Sequence, residues 1–385
     1  MDRLKTLLAR AEEFFADVPD EKIVLGGGSL PETLRRLCPG RCVVFSGTHY
    51  EKMLKDAGFD VRCGIEAEPA VATVERLAAE LRESGADSVA AVGGGSVIDA
   101  AKAALLMVES DRPLGELFGV NRWSSLHPDR HLRRLVAVPT TSGTGSEATP
   151  YSNIVQHSIG VKKLIAEREC VPAAAVIAPE LTATMPPQLT RAVGCDALAH
   201  LIEGFLNVGA DGNHPSANFW AECGIELAVS ALPEAISSGT PLARRAMAYA
   251  ALLGGMTIRF KSTGLPHLCS FSWFGRIAHG DAVAVLLPAC WRYYLANPAV
   301  RERTMALKGI FPGETPEEVI GSYENFLDRV GMPGGLSAWA GIDSELIERT
   351  ARSGGENRMK LELAPHPVPL EKSYDILKAI LKLSL

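Results

Sequence analysis

Two residues of an Ala/Leu-rich segment, Asp196 and His200, have the spacing of metal ligands. They lie four residues apart, so a helix would place both side chains on one face. A carboxylate and an imidazole commonly bind divalent ions, although such a pair also forms a simple hydrogen bond along a helix. His267 and His279 follow in an apolar stretch, where a histidine is most often a core residue with internal partners. Together the four residues would complete a site for Fe²⁺, Zn²⁺ or another first-row divalent ion.

A glycine-rich turn indicates a second kind of chemistry, the binding of a phosphate group. Residues 93–96 (GGGS) follow strand-like residues and precede the helical run VIDAAKAALLMV. Such a helix start presents free backbone N–H groups and the positive end of a helix dipole, which suits a pyrophosphate. Ser96 could cap the helix, and Asp99 could complete a capping box or meet a ribose or nicotinamide group. The motif is not GxGxxG, so a plain tight turn is the alternative.

A second polar loop, TTSGTGSE at residues 140–147, follows another predicted strand. It supplies the hydroxyls of Thr140, Thr141, Thr144 and Ser146. Ligands of open α/β sheets bind at the carboxyl ends of the strands, where both loops would lie. A solvated loop is the alternative, but two such loops on one sheet favour a ligand.

The elements that position these residues divide the chain into two predicted domains. Strands at residues 41–46, 88–92 and 135–138 alternate with amphipathic helices, which is typical of a parallel sheet with crossover helices. From about residue 186 onward, long Ala/Leu-rich segments, among them residues 189–206, 216–235 and 241–259, predict helices with almost no strands. We therefore expect an α/β domain over residues 1–185 and an all-helical domain over residues 186–385.

Composition excludes several classes of function. The 385 residues are 47% hydrophobic and 22% charged, with 39 Lys and Arg against 45 Asp and Glu. This net charge of −6 and the lack of a basic block argue against nucleic-acid binding. No run approaches the roughly 20 apolar residues of a membrane span, and the amphipathic start lacks a signal core, so we expect no membrane association and a cytoplasmic protein. Eight scattered cysteines indicate reduced core thiols.

Four ordered motifs resemble the iron-dependent (group III) alcohol dehydrogenases. They are GGGSVIDAAK at 93–102, PTTSGTGSEAT at 139–149, GCDALAHLIEGF at 194–205 with His267 after it, and AHGDAVAVLLP at 278–288. The resemblance implies an N-terminal dinucleotide-binding domain with a parallel sheet and a C-terminal helical metal-binding domain, with cofactor and substrate in the cleft between them. It implies a metal on Asp196, His200, His267 and His279, of which His267 and His279 would be catalytic. It places the pyrophosphate on Gly94, Gly95 and Ser96 near Asp99, and the nicotinamide against Thr140, Thr141, Thr144 and Ser146.

The chain differs from the family pattern at two places: the residues expected around the substrate, and the residue expected near the adenosine ribose of the cofactor. Phe271 stands where the family commonly has another histidine, and the segment from His267 to His279 is shorter than usual, which predicts an altered pocket with Phe271, Trp273 and Phe274 as apolar walls. Residues 261–270 and the tail are similar to phosphonoacetaldehyde reductases, so Lys261 or Arg276 could hold an anionic aldehyde, although such cations usually form a solvated face. Gly47 stands where NAD-preferring members have an aspartate, which allows NADP(H) as well as NAD(H).

These features predict metal-dependent, NAD(P)-linked hydride transfer to or from a small aldehyde or alcohol. Two alternatives remain: a non-redox sugar-phosphate cyclase of the dehydroquinate synthase type, and a non-catalytic binding protein. The resemblance also makes a homodimer reasonable.

Overall fold

The computed structural model describes residues 2–16, 22–26, 28–110 and 112–385. The chain forms two compact units. One is Phe14–Thr184, and the other combines Met1–Glu13 with Met185–Leu385.

The first unit is built on a parallel sheet. Over the described residues its strands are β1 (Lys22–Leu25), β2 (Cys42–Ser46), β3 (Asp60–Arg62), β4 (Ser88–Gly93), β5 (Gly119–Val120), β6 (Arg134–Pro139), β7 (Tyr151–Gln156), β8 (Val161–Ala166) and β9 (Ala174–Ile177). Six of these strands form one sheet in the order β1-β9-β6-β4-β2-β3, and every pairing in it is parallel. The three predicted strands are confirmed as its central members β2, β4 and β6.

Helices cover this sheet and make up nearly all of the second unit. Over the described residues they are α1 (Asp2–Phe15), α2 (Leu30–Leu37), α3 (Thr48–Asp56), α4 (Val71–Ser84), α5 (Gly95–Ser110), α6 (Leu114–Leu117), α7 (Arg122–Leu126), α8 (Pro187–Leu206), α9 (Ala217–Ser237), α10 (Pro241–Lys261), α11 (Leu265–Ser270), α12 (His279–Tyr294), α13 (Pro298–Ala306), α14 (Pro316–Arg329), α15 (Ser344–Gly355), α16 (Arg358–Glu362) and α17 (Ser373–Leu383). The structure thus confirms the predicted α/β unit and the helical unit after it. No helix of the described residues is long and apolar enough to cross a membrane.

Alternation along the central strands explains why the sheet is buried on both faces. Val43, Phe45 and Val89 enter one hydrophobic cluster with α4 and α5. Their neighbours Val44 and Ala90 enter another, with residues of α2 and α3. Successive side chains of a strand point to opposite faces, so a strand that is apolar at every position must be covered on both sides.

The first helix contacts the helical unit, which differs from the predicted division at residue 185. In α1, Arg3 forms an ion pair with Glu226 at 2.8 Å, and Glu12 accepts a hydrogen bond from the hydroxyl of Tyr249 at 2.9 Å. The buried Leu7 and Leu8 lie on the same helix. The amphipathic pattern of α1 therefore predicted a helix but not the unit that it packs against.

Candidate functional site

Asp196 and His200 lie on α8, a helix surrounded by α9, α10 and α12. Nearly every residue of its second half is buried, and Asp196 is only 3% exposed. A buried carboxylate is costly unless hydrogen bonds or cations stabilise it, so its neighbours must supply compensation. The helix thus confirms that both side chains lie on one face, as their spacing of four residues predicts.

The start of α12 is held against α8, which brings His279 to Asp196. Arg191 on α8 binds Asp281 through two nitrogens, with a shorter distance of 2.8 Å. A Cβ at Gly280 would lie 1.8 Å from the carbonyl oxygen of Ala192, so the two backbones are as close as a glycine permits. The third histidine, His267, lies in the short helix α11 that precedes α12.

Three imidazole nitrogens surround one carboxylate oxygen. The Nε2 atoms of His267, His200 and His279 lie 3.4, 3.6 and 3.7 Å from Oδ1 of Asp196. Four ligand atoms bound tetrahedrally at about 2.1 Å from an ion are themselves about 3.4 Å apart. Among the described residues, neither Asp196 Oδ1 nor His267 Nε2 has a hydrogen-bond partner, although both are buried. The ligand atoms of Asp196, His267 and His279 all lie within 4.8 Å of one another, which together with the two unsatisfied atoms fits a divalent ion. His200 approaches Asp196 but is not part of this closer group.

A further layer of contacts orients the histidines. Nδ1 of His267 lies 2.5 Å from Oε1 of Glu203, whose other oxygen accepts a hydrogen bond from the backbone N–H of Gly264 at 2.7 Å. The hydroxyl of Ser270 lies 3.2 Å from Nδ1 of His279. A partner on one ring nitrogen fixes the tautomer and leaves the other nitrogen for a metal, as is usual for ligating histidines.

The charges of this cluster favour a cation. Burial raises the pKa of the Asp196 carboxyl, but the charges of His200 and His279 and the contact with His267 outweigh it and hold the pKa well below its usual range. Burial lowers the pKa of His267, but the carboxylates of Glu203 and Asp196 outweigh it and raise the pKa to about 9. The same negative charges that favour a proton on this imidazole also favour the binding of a divalent ion in place of the proton.

The two glycine-containing loops of the α/β unit lie side by side. They follow β4 and β6, which are adjacent, and the N–H of Thr140 donates to the carbonyl of Gly93 at 2.9 Å. A Cβ at Gly94 would lie 3.3 Å from Thr141, and one at Gly95 would lie 2.5 Å from Thr144. The start of α5 and the hydroxyl loop therefore form one continuous surface with backbone N–H groups, which suits a pyrophosphate.

Some of the predicted cofactor residues hold this surface together. Asp99 accepts hydrogen bonds from the Ser146 hydroxyl at 2.5 Å and from the Asn153 N–H at 2.9 Å. The Ser96 hydroxyl accepts from the Glu68 N–H at 3.1 Å. Asp99 and Ser146 therefore support the second loop from within, and a direct cofactor contact by either stays a prediction. Gly47 lies between β2 and α3, and a Cβ there would contact nothing within 4 Å.

Comparison with known proteins decides the family. The family model described as iron-containing alcohol dehydrogenase matches residues 19–179, and the C-terminal model of the same family matches residues 190–381. The chain belongs to the iron-containing alcohol dehydrogenase family. It is therefore an oxidoreductase that acts on CH–OH groups, and members of its family use NAD(P) and iron or another divalent ion.

Individual relatives cover most of the chain. The NAD-dependent methanol dehydrogenase of Bacillus methanolicus is 30% identical over 80% of this chain and 81% of that protein. The NADPH-dependent butanol dehydrogenase of Clostridium saccharobutylicum is 32% identical over 71% and 70%. The iron-containing alcohol dehydrogenase structure from Thermococcus thioreducens is 27% identical and has a TM-score of 0.82 over 94% of this chain and 98% of that one. Membership of this family favours redox chemistry over the cyclase and the non-catalytic alternatives.

The predicted substrate residues occupy different environments in this iron-containing alcohol dehydrogenase. Lys261 is buried, and its ammonium contacts Asp211 at 2.5 Å and Asn218 at 2.6 Å, so internal partners already compensate its charge. Trp273 is 1% exposed, and its indole N–H donates to Thr350 at 2.7 Å, which makes it a core residue. Arg276 is exposed and donates to the carbonyl of Gly341 at 2.9 Å, while Phe271 is half-buried. The expectation of a substrate role is thus weakened for Lys261 and Trp273.

Two supporting residues escaped sequence reasoning. Glu203 follows His200 by three residues and Asp196 by seven. This spacing places all three side chains on one face of the helix, so the sequence could have indicated a role for Glu203 in the site. Lys102 is fully buried, and its ammonium donates to the carbonyls of Ser146, Thr149 and Tyr151 at 2.6 to 2.9 Å. A lysine in the run AAKAALL gives little sign of such a role, because its partners are about 45 to 50 residues away.

The cysteines near the ligands remain thiols. All eight cysteines are free. Burial raises the pKa of the Cys269 thiol to about 12 and places that of Cys195 well above its usual range. Both cysteines lie outside the cluster of Asp196, His267 and His279, the group of described residues placed to hold a metal ion. They are core residues, as predicted.

Proposed function

We propose that this protein catalyses reversible, metal-dependent hydride transfer between NAD(P)H and a small aldehyde. The observation that carries the proposal is the convergence of three imidazole nitrogens on Asp196 Oδ1 within 3.7 Å. Asp196, His200, His267 and His279 would hold the ion, with Fe²⁺ as the first candidate and Zn²⁺ or another divalent metal as alternatives. When bound, the ion supplies Lewis acidity toward the carbonyl group and the nicotinamide supplies the hydride.

The protein's own residues orient the site and limit access to it. Glu203 fixes His267 so that Nε2 faces Asp196, and Ser270 does the same for His279. The side chains of Asp196, His200 and His267 are 4 to 6% exposed, whereas that of His279 is 27% exposed. Substrate would therefore approach on the side of His279, while the other three ligands stay protected from water.

The nucleotide would bind along the two adjacent loops of the α/β unit. Backbone N–H groups at Gly94, Gly95 and Ser96 would meet the pyrophosphate, where the α5 dipole adds favourable charge. The loop with Thr140, Thr141, Thr144 and Ser146 would meet the nicotinamide end.

The narrower proposal is an anionic aldehyde such as phosphonoacetaldehyde. It is supported by the similarity of residues 261–270 to reductases of that compound, and by the exposed guanidinium of Arg276, whose planar fork suits a phosphonate. Phe271 would form an apolar wall. Lys261 is a weaker candidate because Asp211 and Asn218 bind its ammonium. The homodimer stays a prediction.

Oxidation of NADPH and NADH by reconstituted protein tests the proposed function. Metal-free protein would receive Fe²⁺ under anaerobic conditions, or Zn²⁺, and then a panel of small aldehydes that includes phosphonoacetaldehyde and the uncharged propionaldehyde. We expect stoichiometric, metal-dependent consumption of nucleotide. A preference for the phosphonate that Arg276→Met removes supports the anionic substrate, and equal rates with both aldehydes reject it. Absence of consumption with every aldehyde, despite bound metal and nucleotide, would favour the non-redox alternative.

Aspartate in place of Gly47 should shift cofactor preference toward NADH. The position has open space, so the side chain fits, and its carboxylate would repel a 2′-phosphate while bonding ribose hydroxyls. We expect the KM for NADPH to rise by roughly tenfold, about 1.4 kcal/mol of binding, with little change for NADH. Asparagine at the same position is the uncharged control. An equal change for both nucleotides would show that this residue does not face the 2′ position.

A further inference from the structure

Lys360 is a buried cation that the proposed chemistry leaves unused. Its side chain lies on α16 and the residue is 4% exposed. The ammonium donates to the Thr263 hydroxyl at 2.6 Å, to the Thr263 carbonyl at 2.9 Å and to the Ser262 hydroxyl at 3.3 Å. None of these acceptors carries a charge. Burial lowers the pKa of Lys360 to about 8, partly offset by the charge of Glu203.

The acceptors of this ammonium form the turn between α10 and α11. Ser262 has a φ of 61° and a ψ of 162°, a backbone conformation that is essentially confined to glycine and costs about 1 to 3 kcal/mol for a residue with a side chain. The turn lies close to α12, because a Cβ at Gly264 would be 2.5 Å from the Tyr294 hydroxyl. Three hydrogen bonds from one ammonium can hold such a turn, because the lysine donates in three directions.

The same turn is hydrogen-bonded to Glu203, the residue that orients the candidate ligand His267. The N–H of Gly264, next to Thr263, donates to Oε2 of Glu203 at 2.7 Å. Oε1 of Glu203 lies 2.5 Å from Nδ1 of His267. Lys360 is thus connected to His267 through the hydrogen bonds of Thr263, the adjacent Gly264 and Glu203. Displacement of the turn would therefore displace Glu203 and rotate the His267 imidazole.

We propose that Lys360 is a positioning residue that sets the Glu203–His267 pair by holding the turn at residues 262–264. This inference rests on the proposed function, because it assigns His267 to the metal. A positioning role explains why an ammonium is kept in the interior, where a methionine of similar size would avoid the cost of burying charge. It also predicts that changes at Thr263, one bond closer to Glu203, act in the same direction.

Cobalt binding to the metal-free protein tests the role without using catalysis. The measured quantities are the Kd for Co²⁺, from competition with a chelator, and the visible absorption of the bound ion, which reports its coordination. We expect Lys360→Met to weaken Co²⁺ roughly tenfold and to alter the spectrum, since supporting contacts of metal ligands contribute about 10- to 100-fold in affinity. Thr263→Val should weaken Co²⁺ severalfold, and Thr263→Ser, which keeps the hydroxyl, should bind as the wild type does.

Thr304→Val separates positioning from general destabilisation. It removes the partner of the Trp291 indole, a buried contact of 2.8 Å in the same unit, and should lower stability with no change in the Kd or the spectrum. Unchanged Co²⁺ binding in Lys360→Met would overturn the inference while leaving the site intact. If Lys360→Met does not fold, equal binding by Thr263→Val and Thr263→Ser overturns it instead. Full Co²⁺ affinity in His267→Ala would reject the proposed metal site itself.

Discussion

Alanine in place of His267 should lower the affinity for Fe²⁺ or Co²⁺ by roughly 100-fold or more. Removal of a supporting contact alone costs about 10- to 100-fold, and this change removes a ligand together with the partner of Glu203. The buried Asp196 and Glu203 carboxylates would then lack the imidazole between them, so the site should also lose its geometry. Metal affinity is measured by chelator competition, and NADPH oxidation at fixed metal concentration should fall in parallel.

His131→Ala is the matched control for this prediction. The His131 side chain is 85% exposed and contacts the partly exposed Glu169 in the α/β unit, so its loss should change neither metal affinity nor turnover. A His267→Ala protein that keeps its metal at full affinity would contradict the ligand role. A protein that keeps its metal but loses all turnover would instead assign His267 to substrate or cofactor.

Alanine in place of Gly280 should destabilise the helical unit and remove the metal site together. Helix propensity alone favours alanine by about 1 kcal/mol. The tertiary structure reverses the sign, because the new Cβ would lie 1.8 Å from the Ala192 carbonyl oxygen and 2.8 Å from the Asp196 Cβ. Backbone cannot rotate away as a side chain can, so the start of α12 must move and carry His279 with it. We expect a loss of about 3 kcal/mol or more in the free energy of unfolding.

Gly321→Ala is the matched control, because the same substitution at this position should not lower the free energy of unfolding. Gly321 lies inside α14, and a Cβ there would contact nothing within 4 Å, so propensity should act alone and leave stability unchanged or slightly raised. Denaturant unfolding and Co²⁺ titration of both variants measure the two effects. Wild-type stability and metal binding in Gly280→Ala would show that α8 and α12 do not approach as closely as described.

The elements of the fold were largely predictable because their patterns are local. Continuous apolar runs marked β2, β4 and β6, and the observed α8, α9 and α10 begin and end within two residues of the predicted segments. The small sheet of β5, β8 and β7 was not predicted. Its strand β8 is half-buried with two adjacent lysines, so it has neither the alternation nor the apolar run that identifies a strand.

The four candidate metal ligands were predicted from the sequence, but the residues that contact and orient them were not. Asp196 and His200 were predicted from their spacing. His267 and His279 were predicted from their residue type and then from the family resemblance, because these residues lie in recognisable motifs. Lys261 and Trp273 were predicted to contact substrate from the family resemblance and from their place near His267, and that role stays a prediction. Their partners Asp211 and Thr350 are distant in the sequence and could not be predicted from it.

The sequence by itself determined the order of elements, the two glycine and hydroxyl loops and the types of the four candidate ligands. These follow from the periodicity of apolar residues and from short motifs, which act over a few residues. Only the tertiary structure decided that α1 packs in the helical unit, that Glu203 orients His267, and that Lys102 and Lys360 are buried where they hold loops. These features depend on contacts between residues far apart in the chain, and such contacts form only when the whole core is packed.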